Sequence, residues 1–325
     1  MVRRLFCLAA ILLAAGCSES PVAPTPDLRI SCPAPPRVAV TTPTAVVVYD
    51  APGVTGGSAP VSVSCTPPSG SAFPIGSSTV TCMARDAQQR TQSCGFAVTV
   101  ERIPTIEAVR FVAFGDSITY GVLPSCPALA TSVFDLRLDL PLLLRAVDIP
   151  ASYPTKLQSL LSGHYAAQSL QVLNEGEAGE TVQNGSTRLP GVLAQDSPQV
   201  LLLQEGVNDL NGGATGMTVA DGLRRMVRDA RTRGVQVFLG TLLPQRADGC
   251  RARTPSRIAP TNDLIRGLAS AEGATLVDLY QAFVGMESSL LGVDGLHPTE
   301  AGYERMAQTF FEAIRQKLEE SGLRR

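Results

Sequence analysis

Ser117 is the residue of this 325-residue chain with the clearest chemical potential. It ends the apolar run Val109 to Phe114 in Gly115-Asp116-Ser117-Ile118-Thr119, a tight turn that would lift one hydroxyl off the end of a sheet. A serine hydroxyl becomes a useful nucleophile only when a base removes its proton, and that base is usually an imidazole oriented by a carboxylate. The chain holds two histidines. His164 ends the helix-like stretch Leu160-Leu-Ser-Gly-His164 and reads as a solvated residue at a helix C-terminus. His297 follows Asp294 by three residues in Val293-Asp294-Gly295-Leu296-His297-Pro298, where a glycine-containing turn lets the carboxylate reach the ring N–H. His297 is therefore the expected base and Asp294 its partner, the bland alternative being a local loop pair. A carbonyl under attack also needs donors for its developing negative oxygen. The N–H of Ser117, the N–H of Gly179 and the side-chain amide of Asn208 in Gly206-Val207-Asn208-Asp209 are the candidates. Glycine permits close backbone approach, and the Asn amide is a neutral, orientable donor. Each could alone be a turn residue; as a set they imply acyl transfer through a covalent acyl-serine.

The elements that must position these groups fall into two segments. Residues 28–102 are rich in Val, Thr, Ser, Pro and Gly. Short β-prone runs recur there at Arg37 to Val40, Ala45 to Tyr49, Val61 to Cys65, Ser78 to Ala84 and Gly95 to Val100. Turn residues separate them, the pattern of a small all-β sandwich. Ile103-Pro104-Thr105 reads as a short hinge. Beyond it, apolar runs (Val109 to Phe114, Leu170 to Leu173, Val200 to Leu203, Val235 to Gly240, Thr275 to Val277) alternate with helical patterns, clearest at Thr218 to Arg233 and Thr299 to Glu320. Leu223, Met226, Val227 and Ala230 share one helical face, and Thr299 suits an N-cap. Fully apolar short strands between amphipathic helices predict a parallel sheet covered on both faces, with its site beyond the carboxyl ends of the strands. Ser117 and Asn208 both follow strands, so they are expected on the same rim.

Composition excludes some functions. Lys and Arg number 27 against 29 Asp and Glu, without long basic runs, so nucleic acid is not an expected partner. Neither histidine has a His or Cys at metal-ligand spacing, which excludes a His-rich metal centre and disfavours a Cys-based one. At the N-terminus, Arg3 and Arg4 precede the apolar stretch Leu5 to Ala15, too short to span a bilayer and suited to a signal h-region. It ends in Leu13-Ala14-Ala15-Gly16-Cys17, which resembles the lipobox of bacterial lipoproteins, with Ala14 departing from the usual Leu. Residues 1–17 thus read as a signal peptide, Cys17 as the lipidated residue and 18–27 as a tether. The expectation is a membrane-anchored lipoprotein, periplasmic or at the cell surface, with membrane contact by lipid anchor only. The alternative is a secreted protein with an incidental thiol. Export lets disulfides persist. With Cys7 and Cys17 set aside, six cysteines remain: Cys32, Cys65, Cys82, Cys94, Cys126 and Cys250.

Two resemblances sharpen this reading. Cys65-Thr-Pro-Pro-Ser-Gly-Ser-Ala-Phe73-Pro-Ile-Gly76, Thr79-Val-Thr-Cys82, Asp86 and Cys94-Gly-Phe-Ala-Val-Thr-Val100 resemble the HYR (hyalin repeat) module. That resemblance implies an immunoglobulin-like sandwich used as a spacer or to contact an extracellular ligand. Cys32–Cys82 with Cys65–Cys94 is the preferred pairing, although spacing leaves the pairing open. Ser117 in GDSIT, Gly179, Asn208 in GVND and His297 in DGLHP resemble the SGNH (GDSL-type) hydrolases, over a domain at 106–322. This implies a flavodoxin-like three-layer α/β/α fold and esterase or lipase activity without metal or cofactor. Small-molecule, lipid and acylated-carbohydrate esters are all open as substrates. The Gly-x-Ser-x-Gly elbow of α/β-hydrolases is absent, Thr119 standing at its second glycine. The rival functions are a non-catalytic surface adhesion or carbohydrate-binding protein, and a sugar O-acyltransferase or deacetylase. Glu175 and Glu177 put negative charge before Gly179 and are expected to disfavour acidic substrates. The insertion Val122 to Pro150, apolar from Val133 to Leu144, reads either as a lid or acyl-chain wall or as packing on the domain's flank. A sheet order of 2-1-3-4-5 would bring Cys126 and Cys250 together as a disulfide across the rim.

Overall fold

The computed structural model describes residues 25–126 and 151–319. The signal peptide with Cys17, the tether up to residue 24, the apolar run Val133 to Leu144 and Glu320 lie outside the described residues. The chain divides into two compact units, one ending at Arg102 and one beginning at Ile103.

In the first unit a four-stranded sheet runs in the order β2 (Arg37–Val40), β8 (Thr91–Arg102), β7 (Gly76–Arg85), β5 (Ser62–Thr66). Two small sheets pair β1 (Arg29–Ser31) with β4 (Gly53–Thr55) and β3 (Thr44–Val47) with β6 (Ser71–Pro74). Strand alternation decides the faces: Val80, Cys82 and Ala84 of β7 and Phe96, Val98 and Val100 of β8 are buried, their neighbours less so. These residues meet Ala45, Val47, Tyr49 and Phe73 in one core, with Tyr49 edge-on to Phe96 at 5.0 Å. Asp86 locks the β7–β8 turn by accepting the N–H groups of Gln88 and Arg90 at 3.0 and 2.9 Å.

The disulfides here are Cys32–Cys94 and Cys65–Cys82, with Cα atoms 5.7 and 4.0 Å apart. This corrects the expected pairing of Cys32 with Cys82 and Cys65 with Cys94, and the register explains why. Strand β7 lies between β5 and β8, so Cys82 stands opposite Cys65 on one side and Cys94 on the other. Directly paired residues point to the same face, and Cys82 can reach either neighbour. Cys65 and Cys94 are two strand spacings apart, roughly 10 Å, beyond the reach of about 7 Å that a disulfide spans.

The second unit is built on a five-stranded, wholly parallel sheet. Its order is β10 (Gln171–Gly176), β9 (Arg110–Gly115), β11 (Val200–Gln204), β12 (Gln236–Gly240), β13 (Thr275–Val277). This is the 2-1-3-4-5 order expected. Phe111 to Phe114 and Val200 to Leu203 are fully buried, which is why these runs carry no polar alternation. The helices form two groups. Helix α2 (Tyr153–His164) packs on α9 (Glu300–Ile314), with Tyr153 stacked on Phe310 at 5.0 Å. On the other side α3 (Val182–Asp196), α5 (Gly216–Thr232) and α6 (Pro255–Glu272) pack in a row. Leu223, Met226, Val227 and Ala230 form the buried face of α5, as their spacing predicts.

Candidate active site

Strand β9 delivers Ser117 directly to the rim. Asp116 caps the single-turn helix α1 (Ser117–Tyr120), its Oδ1 accepting the Ile118 N–H at 2.9 Å. That turn holds the Ser117 Oγ 2.9 Å from Nε2 of His297. His297 Nδ1 in turn lies 2.6 Å from Asp294 Oδ2. Asp294 is fully buried and receives more than the imidazole. Its Oδ1 accepts the N–H groups of Leu296 and His297 at 3.0 Å each, and its Oδ2 accepts that of Ser125 at 3.3 Å. Burial pushes this carboxyl up, but the imidazole and the backbone bonds outweigh it and hold the group below its ordinary value. The loop is fixed from behind. Gly292 N–H donates to His297 O at 3.0 Å, and Thr299 caps α9 by accepting the Gly302 N–H at 3.2 Å.

The other two predicted residues reach the same cleft. Asn208 lies in the first turn of α4 (Val207–Asn211) and donates one amide hydrogen to Glu180 O at 2.8 Å, which orients the side chain and leaves its second N–H for another acceptor. Asp209 beside it accepts the Val182 N–H at 3.0 Å, tying this loop to the one with Gly179. Gly179 has φ +88°, and a Cβ there would meet nothing within 4 Å. Its backbone conformation, not crowding, is what calls for glycine. Ser117, Gly179, Asn208 and His297 line one cleft with Val122, Ser125, Ala178, Leu296 and Arg251.

His164 takes no part in this site. It ends α2 as expected, but its Nε2 sits 3.2 Å from Glu319 Oε2 and its ring packs edge-on to Tyr165 and Phe311, so it is paired rather than simply solvated. Glu175 and Glu177 also differ from expectation. Both pair with Arg188, at 3.4 and 3.2 Å, and neither lines the cleft. Among the described residues, no group of three or more His, Cys, Asp or Glu side chains could hold a metal ion. Cys126 and Cys250 form the disulfide expected from sheet order, with Cα atoms 5.9 Å apart. Ser125 and Arg251, the neighbours of those cysteines, were absent from the sequence-derived site. The signal was available, because a bridge across the rim necessarily carries its flanking residues to the cleft.

A rim with an acyl-transfer geometry invites comparison with known proteins. Residues 113–305, more than half of the chain, match the GDSL-like Lipase/Acylhydrolase family. The chain belongs to this family. Residues 25–100 match the HYR domain. The GDSL region is 27% identical over 149 residues to the protein named Esterase TesA of Pseudomonas aeruginosa, covering 46% of this chain and 71% of that one. It is 27% identical over 155 residues to an arylesterase of Vibrio mimicus, covering 46% and 72%. The crystal structure of the lipase/acylhydrolase from Enterococcus faecalis shares the fold, with a TM-score of 0.51 at 24% identity over 64% of this chain and 96% of that one. As a member of the GDSL-like family the chain is an esterase/lipase-like hydrolase acting on carboxylic esters.

Proposed function

We propose that Ser117 is the nucleophile of this hydrolase, His297 its general base and Asp294 the carboxylate that orients the imidazole. The observation that carries this reading is the continuous chain from Ser117 Oγ through His297 to Asp294, with links of 2.9 and 2.6 Å. His297 Nε2 takes the hydroxyl proton as Oγ attacks the ester carbonyl carbon. The tetrahedral oxygen is held by the N–H groups of Ser117 and Gly179 and the Asn208 amide. Ser117 begins α1, so its N–H has no intrahelical acceptor and stays available. His297 then passes the proton to the departing alcohol oxygen, and water enters by the reverse steps to release the acid and free serine. A fluorophosphonate probe tests the assignment: it should label the wild type and not Ser117→Ala, and a folded wild type that stays unlabelled would refute it.

Asn208→Ala should lower kcat by about 10²- to 10³-fold with KM little changed, because this donor strengthens as negative charge develops. Steady-state kinetics on a chromogenic ester reads the split. A rise in KM at constant kcat would instead make Asn208 a substrate-binding group. The three disulfides and the HYR match suit an exported protein. We further assign lipid anchoring to Cys17 and a spacer or ligand-contacting role to the module at 28–102, with the hydrolase occupying 106–322. Lipid, acylated-carbohydrate and smaller esters are the substrate classes this reading admits, and an acyl-serine could equally pass its acyl group to a sugar hydroxyl.

A further inference from the structure

Arg251 sits in the cleft with spare donors. Its Nε donates to Ser125 O at 3.1 Å, and its side chain is 44% exposed. Among the described residues, its two terminal guanidinium nitrogens have no hydrogen-bond partner. Asp294 is the nearest acidic group, but its Oδ2 lies 3.8 Å from Nε, outside hydrogen-bond range. Asp294 already accepts from the His297 ring and from three backbone N–H groups, so it does not depend on the arginine. The glutamates that could have neutralised the cleft are turned to Arg188 instead.

The backbone that carries the arginine is also held firmly. The neighbouring Cys250 is bonded to Cys126, the Arg251 N–H donates to Asp294 O at 2.8 Å, and Asn211 Nδ2 donates to Arg251 O at 3.3 Å. A planar, permanently charged fork carried on that fixed backbone into the cleft that holds the nucleophile is suited to a carboxylate or another oxyanion on the substrate. We propose that Arg251 is a specificity-determining residue and that the preferred substrates are esters bearing an anionic group near the scissile carbonyl, such as acidic aryl esters or half-esters of diacids. This inference rests on the ester-hydrolase reading of the same cleft and adds to it the charge of the substrate.

The test compares ester pairs that differ only in charge: 4-carboxyphenyl acetate against 4-carbamoylphenyl acetate, and monoethyl adipate against ethyl adipamate. The wild type should favour the anionic member of at least one pair by roughly tenfold in kcat/KM, and rising salt should shrink that preference. Arg251→Gln should remove the preference, and Arg251→Lys should keep part of it. A wild-type ratio near one in both pairs would overturn the proposal while leaving the hydrolase intact. So would an Arg251→Gln variant that slows the charged and neutral esters equally, since that would make the arginine a support for Asp294. No turnover of any of the four esters by a folded wild type that still reacts with the fluorophosphonate probe would overturn this proposal alone, and no turnover with no labelling would overturn the assignment of Ser117 as nucleophile along with it.

Discussion

Ser117→Ala, His297→Ala and the double variant are expected to lose nearly the same activity, each by on the order of 10⁶-fold in kcat. The geometry accounts for this. The hydroxyl proton has one described acceptor, His297 Nε2 at 2.9 Å, so removing either partner removes the whole attack step and removing both costs no more. Asp294→Asn should lose less, about 10⁴-fold, because the imidazole would remain beside Ser117 but its favoured tautomer would change. The amide could turn its NH₂ toward His297 Nδ1, moving the ring proton to Nε2, where it faces the serine and cannot accept. Cleft donors stay in place throughout, so each variant should still exceed the uncatalysed rate. Single-turnover kinetics with burst-phase titration would measure this. A double variant much slower than either single variant would mean that Ser117 and His297 act in separate steps.

Much of this site was legible because its parts are local motifs. Gly115-Asp116-Ser117 turns off the end of an apolar strand, and Asp294 reaches His297 within one turn, so neither depends on distant contacts. The flavodoxin-like sheet order that goes with the GDSL resemblance placed Cys126 against Cys250 across more than a hundred residues. Pairing in the smaller unit was a different matter. Cys82 has two cysteines directly opposite it, and only the register and the position of Cys32 beside β1 decide between them. Strands β1, β4 and β6 are not legible because their short runs, such as Gly53-Val54-Thr55 and Ser71-Ala72-Phe73-Pro74, are broken by Gly, Ser or Pro, whereas the equally short β2 holds two valines. The direction of Glu175 and Glu177 was illegible for a related reason: Arg188, which neutralises them, comes from the following helix and is fixed over the Phe114 ring at 4.0 Å. A charge count along the sequence sees three glutamates before Thr181 and not the cation that three-dimensional packing sets among them.

Glu205→Gln is expected to stabilise the protein, and increasingly so as pH rises. Glu205 follows β11 and leads into the loop with Asn208. Its carboxyl is fully buried against Gly185 of α3, where an added Cβ would come within 2.4 Å of Oε2, and neither oxygen has a hydrogen-bond partner among the described residues. Burial, followed by the nearby Glu180, Asp116 and Asp209, pushes its pKa up to about 10, only partly opposed by Arg188. The sign follows from proton counting. Below about 4.5, the ordinary value, folded and unfolded chains both hold the proton and the group contributes no pH dependence. Between that value and about 10 the unfolded chain has released it and the folded chain has not, so stability falls by about 1.4 kcal/mol per pH unit. Glutamine keeps the shape and lacks this linkage. The stability difference between variant and wild type should be flat below pH 4.5 and reach a few kcal/mol by pH 8. Asp116, which burial and the same acidic neighbours push up to about 7, adds its own decline from acid toward neutral pH, but it is present in both proteins and largely cancels from the difference. Urea denaturation at pH 5, 7 and 9 measures the trend; a difference that does not change with pH would show Glu205 ionised and paired in the folded state. The consequence reaches the site, since alkaline ionisation would add a negative charge that acts on Asp116 and Asp209, the sequence neighbours of Ser117 and Asn208. Loss of activity at high pH should therefore accompany loss of structure, and both should move to higher pH in Glu205→Gln.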